Sequence, residues 1–288
     1  MHTSIAKSLE HAALKARELR ANTFQIFSAS PRMWRASMPG PEAVTALRRT
    51  REKYDLAPLI VHDNYLINLS AADPIVREKS IVAFRGEIER ALAIGAEYLV
   101  AHPGNCRGLT VDNGIALVAE GIARAAEGLD TRALMLLLEN TAGMGCALGS
   151  RFEELALIRQ IAREHTELEI GYCIDTCHCL VSGYDISTEI GFRKTVRQMD
   201  QILDLDRVRV IHTNDSKTPV NSRVDRHQHI GKGYIGLEGF RRFLTHRSLS
   251  KKAFILETPI DKPGDDRRNL QTIRSLCPKS STTHKPSK

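Results

Sequence analysis

Residues Glu169–Asp175 read EIGYCID, and TCH follows without a break. A run with little charge ends on a carboxylate, and an imidazole stands three positions later. Near-continuous apolar character, rather than alternation, is how a strand reads when both faces of a parallel sheet are covered by helices. The same pattern recurs outward in both directions, at 23–27, 58–62, 97–102, 133–139, 208–213 and 253–257, with a stub at 1–4. Stretches of helical period separate these runs, at 4–20, 41–54, 113–128, 150–165, 188–203 and 237–246. Between the second and third runs, Ile81, Phe84, Ile88 and Leu92 recur at three- and four-residue steps, with Gly95 placed to end that helix. Strand starts repeat every roughly 35 to 45 residues, and eight such units in about 250 residues predict a single (β/α)8 TIM barrel of class α/β. An open doubly wound sheet would carry a glycine-rich phosphate turn. GxGxxG and the P-loop pattern are both absent, so no nucleotide cofactor is expected.

Composition sets the outer limits. The chain has 288 residues, 42% hydrophobic and 26% charged, which is ordinary for a globular domain with ample core. Its longest apolar run, ALMLLL at 133–138, falls far short of the roughly 20 residues that span a bilayer. MHTSIAKSLEHAALKA lacks the apolar stretch and cleavage site of a secretory signal, so a cytoplasmic location is expected. Six cysteines are too sparse for a disulfide scaffold, and Cys173, Cys177 and Cys179 read as buried or bystander thiols in a reducing compartment. Lys and Arg exceed Asp and Glu by seven, but five of those charges fall within 262–288. The basic balance is therefore weak support for a polyanionic partner. From 278 onward Lys, Ser, Thr and Pro dominate, predicting a folded domain over 1–277 and a disordered basic tail over 278–288.

Six of the predicted strands end on a residue able to hold a metal: His62, His102, Glu139, Asp175, His212 and Glu257. In a barrel all six meet at the carboxyl-end mouth, where active sites of this fold are built. Two loops add His178, Asp225 and His227. A lone histidine at a strand end is ordinarily a hydrogen-bonded rim residue, and an acidic one ordinarily caps the next helix. Nine coincidences in one region favour metal instead. A nitrogen and oxygen set without thiolates suits zinc, manganese or iron, and nine ligands exceed what one ion uses. His229, two positions after His227, reads as a loop neighbour. Three divalent ions against four carboxylates leave the pocket about two units positive, which would attract an anionic oxygen such as that of a phosphodiester.

The runs HDNYLINL (62–69), AHPGN (101–105), LENTAGMGCALG (138–149), CIDTCHCLVSGYD (173–185), HTNDSK (212–217), SRVDRHQHIGKGYIG (222–236) and LET (256–258) stand in a recognisable order. With them the chain resembles endonuclease IV, the zinc-dependent apurinic/apyrimidinic (AP) endonuclease family, from about residue 2 to 275. The resemblance implies a barrel holding three zinc ions. His62, His102 and Glu139 would hold the first; Glu139 would bridge to a second shared with Asp175, His212 and Glu257; His178, Asp225 and His227 would hold the third. Manganese or iron at one or more positions also fits. The implied activity is hydrolysis of the phosphodiester 5′ to an abasic site in duplex DNA, leaving a 3′-hydroxyl and a 5′-deoxyribose phosphate. Glu139 and Glu257 would be catalytic, and the enzyme would act as a monomer without a membrane partner.

By the same resemblance Arg32, Tyr65 and Leu66 would fill the gap left by the flipped-out nucleotide, with Arg32 and Arg226 near phosphates. Leu66 and Trp34 can equally be read as core. Lys279, Lys285 and Lys288 would add salt-dependent affinity if the tail touches DNA. One departure concerns the start: Ser8 and Leu9 stand where the family carries a glycine pair, and only a stub of the first strand remains, with no ligand expected from it. Two other readings remain at this stage. A sugar isomerase or epimerase barrel would use Glu139, Asp175, His212 and Glu257, leaving His178, Asp225 and His227 without a purpose. A DNA-binding protein without catalysis would retain the ligands and lack cleavage.

Overall fold

The computed structural model describes residues 1–278. Six strands, β1 (Phe24–Phe27), β2 (Leu59–His62), β3 (Tyr98–Ala101), β4 (Met135–Glu139), β5 (Glu169–Asp175) and β6 (Val208–His212), lie parallel in sequence order. An antiparallel ribbon, β7 (Asp215–Ser216) with β8 (His227–Gln228), follows β6, and β9 (Ala253–Ile255) completes the seven-stranded parallel sheet beside β6. The eighth position is only a bridge. Thr3 N–H donates to Gln25 O at 2.8 Å, Gln25 N–H to Met1 O at 2.9 Å and His2 N–H to Leu256 O at 3.1 Å, so residues 1–3 link β1 to the end of β9. The barrel reading holds, with the predicted eighth strand reduced to this bridge.

Helices cover the outside: α1 (Leu9–Glu18), α2 (Pro41–Tyr54), α3 (Pro74–Ile94), α4 (Val111–Ala126), α5 (Phe152–Ala162), α6 (Thr176–Ser182), α7 (Glu189–Leu203), α8 (Gly236–Thr245) and α9 (Asp265–Leu276). The first starts at Leu9 rather than residue 4, because the Ser8 hydroxyl accepts from His11 N–H at 3.0 Å and caps it. Gly95 ends α3 in the left-handed conformation, as its place after the periodic run predicts. The short α6 and the C-terminal α9 have no counterpart among the predicted helices; α6 has only seven residues, too few to show a helical period. Among the described residues no helix is long and apolar enough to cross a membrane. Of the predicted tail, residues 279–288 lie outside the described part.

The barrel interior explains how the mouth is furnished. Ile60, Val100, Leu137, Cys173, Val210 and Ile255 form one buried layer inside the strands, with Tyr98, Met135 and Ala253 packed below. Side chains alternate faces along a strand, so the residue two positions later returns to the interior one layer higher. Two residues after each of the six stand His62, His102, Glu139, Asp175, His212 and Glu257. The pleat that fills the core therefore aims six donor side chains into the same mouth. β3 stops at Ala101 and β9 at Ile255, so His102 and Glu257 lie just beyond the last paired residues, and the alternation carries them inward regardless.

Candidate metal centre

Donor atoms gather into overlapping groups whose ligand atoms lie within 4.8 Å of one another, three of them built from nitrogen and oxygen alone: His62, His102 and Glu139; Glu139, Asp175, His212 and Glu257; and His178, Asp225 and His227. Glu139 belongs to two of these three, and the Cys173 and Cys177 thiols come within the same distance in two further groups, with Glu139 and His212 and with Asp175 and His227. His62 Nε2 stands 3.2 Å and His102 Nε2 3.6 Å from Glu139 Oε2, while His212 Nδ1 stands 2.8 Å from Glu139 Oε1 and 3.3 Å from Glu257 Oε2. In the third group Asp225 offers Oδ2 to His178 Nε2 at 3.2 Å and Oδ1 to His227 Nε2 at 3.3 Å. Two donors on one tetrahedral zinc, each bound at about 2.0–2.1 Å, stand about 3.3 Å apart.

The imidazoles are held from behind. His62 Nδ1 donates to Asp63 O at 2.9 Å, His178 Nδ1 to Asn140 O at 2.9 Å and His227 Nδ1 to Glu257 O at 3.2 Å, leaving each Nε2 directed into the cluster. A histidine whose outer nitrogen donates to a carbonyl presents the inner lone pair to a metal. His227 Nε2 is buried and has no hydrogen-bond partner, an orphan of the kind an ion relieves. The donor set therefore fits metal ions at all three groups.

Carboxylates are fixed as firmly. Asp175 Oδ1 accepts from His178 N–H at 2.8 Å, capping α6, while Oδ2 accepts from Asn214 Nδ2 at 2.6 Å. Asp175 is thus a helix cap and a cluster member at once, and the cap seats His178 one turn along. Asn214 Oδ1 accepts from Glu257 N–H at 2.9 Å, tying the ends of β6 and β9 together. The loop that delivers Asp225 and His227 hangs on Asp215, whose Oδ1 accepts from Ser216 N–H and Ile235 N–H, both at 2.9 Å, and whose Oδ2 accepts from Gly231 N–H at 2.8 Å and Gly233 N–H at 3.0 Å. A Cβ at Gly233 would meet Ser216 O at 2.2 Å, so only glycine lets the loop close on this cradle.

The ionisable groups crowded into the mouth perturb one another. Burial favours the neutral form of Glu139, but His212, His102 and its hydrogen bonds hold it well below the usual carboxylate range. Burial opposes the charge on His178, yet Asp175 and Asp225 raise it to about 10. His62 is raised likewise against burial by Asp63 and Glu139, whereas desolvation lowers His102 to about 4. Cys173 and Cys177 stand beside the ligands, and burial pushes both thiols up, which keeps them neutral as bystanders.

The rim carries the remaining candidates. Tyr65 is 66% exposed, its ring edge-on to Phe27 at 5.2 Å, and Leu66 is half-buried beside it. The exposed Arg32 belongs to the loop after β1, which docks on the same segment through Tyr65 N–H to Pro31 O at 3.2 Å and Asn64 Nδ2 to Met33 O at 3.3 Å. Arg226 is exposed next to Asp225, and Trp34 is exposed rather than core. His229 points elsewhere, paired with Asn269 Nδ2 at 3.0 Å and Asp261 at 3.4 Å. Sequence reasoning did not find Asn140, Asn214 or Asp215, which hold the donors and their loop in place, nor the buried Gln25. It also passed over His2, an imidazole of the stub that lines the cavity.

Barrel and donor set together define the class: a family profile described as xylose isomerase-like TIM barrel matches residues 13–276. Within that class the chain belongs to the endonuclease IV family. It is 57% identical over 277 residues to a probable endonuclease 4 of Solibacter usitatus, covering 96% of each chain. The crystal structure of endonuclease IV from Thermus thermophilus is 37% identical and superposes with a TM-score of 0.84, covering 96% of this chain and 97% of that one. A D-tagatose 3-epimerase-like protein, 20% identical with a TM-score of 0.70 over 96% of each chain, shares the fold.

Proposed function

We propose that this chain, as one domain over residues 1–277, incises duplex DNA on the 5′ side of abasic sites. The products are a 3′-hydroxyl and a 5′-deoxyribose phosphate, and the role is base excision repair. The observation that carries the reading is the third donor group: His178, Asp225 and His227 converge beside the other six ligands. A sugar isomerase barrel, using one or two ions, has no purpose for it.

The nine residues would hold three zinc ions, grouped as above, with manganese or iron compatible at one or more positions. When bound, such ions lower the pKa of water towards 7 and stabilise charge on phosphoryl oxygens. The chain supplies the alignment. Glu257, whose Oε2 faces the cluster and whose Oε1 is engaged, orients the attacking water, and Glu139 joins two of the groups. The mouth opens into a cavity of about 350 Å³ whose walls include the apolar Phe27, Leu256 and Ile260. It admits a sugar phosphate lacking its base, and such a nucleotide leaves the helix at lower cost than an intact one. Arg32, Tyr65 and Leu66 occupy the gap, while Arg32 and Arg226 contact phosphates. The enzyme acts as a monomer in the cytoplasm without a nucleotide cofactor.

Cleavage of a duplex carrying one synthetic abasic site, beside an undamaged duplex, tests the reading. Incision of the damaged strand alone, lost on chelation and restored by zinc, is expected. A folded, fully metallated protein that leaves both duplexes intact overturns it.

A further inference from the structure

A fully buried amide sits in the second row of the mouth. Gln25 is the one polar residue of β1, whose sequence is FQIF, and none of its surface is exposed. Its carboxamide touches two donors of the same group. Gln25 Oε1 lies 2.8 Å from His212 Nε2, and Gln25 Nε2 lies 2.6 Å from Glu257 Oε1 and 3.0 Å from His2 Nδ1. We infer that Gln25 is a positioning residue: one amide sets the tautomer of His212 and the free oxygen of Glu257, and so builds the second metal position. This rests on the metal-centre reading above.

An amide oxygen only accepts, so His212 Nε2 must carry a hydrogen and cannot serve as a metal donor. That leaves Nδ1, which faces Glu139 Oε1 at 2.8 Å and Glu257 Oε2 at 3.3 Å. His212 is thereby turned opposite to His62, His178 and His227, which present Nε2 and donate Nδ1–H to backbone carbonyls. The amide nitrogen has two hydrogens, one for Glu257 Oε1 and one for His2 Nδ1. With Oε1 engaged, Oε2 is the oxygen left for the cluster. Rotating the amide by half a turn would set its oxygen against a carboxylate and its hydrogens against an N–H, so the partners permit one orientation. The residue reaches both donors because the stub, β1 and β9 are neighbours across the closing seam of the barrel.

Groups that orient ligands typically change metal affinity by 10- to 100-fold when removed. Gln25→Met keeps the length and bulk and abolishes all three hydrogen bonds. Gln25→Glu keeps an acceptor for His212 but confronts Glu257 with a second carboxylate unless the introduced acid is protonated. Each protein is stripped, reloaded with zinc, counted for bound metal and titrated against a chromophoric chelator, with the apo form checked by circular dichroism. The expected result is one of three ions weakened 10- to 100-fold in Gln25→Met, with the other two at wild-type affinity. In Gln25→Glu the deficit relative to wild type at the same pH shrinks as pH falls, because the protonated acid resembles the amide; a merely space-filling residue would show no such trend. Unchanged affinities, or equal weakening of all three ions, overturn the inference, and if Gln25→Met fails to fold, the pH trend of Gln25→Glu decides. A wild-type protein that takes up no zinc refutes the metal-centre reading itself, a separate outcome.

Discussion

Asp215→Asn separates holding the metal loop from holding the metal. The native carboxylate is fully buried and accepts four backbone N–H groups, two on each oxygen, from Ser216, Gly231, Gly233 and Ile235. Asparagine has the same outline but one oxygen, so whichever way the amide turns, two backbone N–H groups face an NH₂. Each loses a bond to a charged acceptor, worth about 1.5–3 kcal/mol, and gains no replacement in a buried site. The variant should therefore lose about 3–6 kcal/mol, a large part of the 5–15 kcal/mol typical of a domain, less whatever a shift of the loop recovers. The loss should be local first, because Gly231, Gly233 and Ile235 anchor the segment that carries Asp225 and His227. Urea unfolding of metal-stripped protein measures the stability, and metal counting of the reloaded protein reads the loop. The expected outcome is a lower midpoint together with weakening of the ion held by His178, Asp225 and His227. An unfolding free energy within about 0.5 kcal/mol of wild type with all ions retained would refute the cradle, since surface substitutions alone produce changes of that size.

Proton and metal compete for the same imidazoles. His178 is raised to about 10 in the metal-free cluster, so its protonated form stabilises the stripped protein fully below about 6.5, and that contribution is lost as pH rises through about 10. Urea midpoints of stripped protein should accordingly fall between pH 7 and 10, and zinc binding at pH 7 should release protons, read as a dependence of calorimetric heat on buffer ionisation enthalpy; constant heats across buffers would contradict this. Arg32→Ala and Arg226→Ala should each lower the slope of log affinity against log salt for abasic duplex by about 1, with metal content unchanged. Leu137→Ala opens a void in the fully buried interior layer directly beneath Glu139 and should cost about 2–5 kcal/mol by denaturant unfolding.

The barrel and the location of the mouth were legible in the chain, because both follow from local periodicity. An apolar strand with a period of two that ends on His, Glu or Asp needs only its own neighbours to place that residue inward, and it does so at His62, Glu139, Asp175 and His212. Six candidate donors could be named for the same reason; His178, Asp225 and His227 lie off the strand ends, and it was the runs around CIDTCH and VDRHQH, specific enough to indicate the family, that added them. Helix limits were less legible where a side-chain cap overrides periodicity, as at Ser8. The short α6 depends on Asp175 turning back to its own helix.

The hydrogen bonds that aim the donors could not be seen this way. Gln25 and Glu257 are 232 residues apart, and Gln25 and His212 are 187 apart. Nothing within β1 distinguishes a buried amide that orients two ligands from one that satisfies a backbone group. The same holds for Asn214, which joins Asp175 to Glu257, and for Asp215, three of whose four partners arrive from a loop 16 to 20 residues away. Even the closure of the barrel turns on residues 1–3 meeting both β1 and the end of β9, a contact that exists only after the sheet has curled through a full circle. Periodicity is written in short windows of chain, whereas tautomer, carboxylate aim and closure depend on which distant segments share the last layer of the barrel.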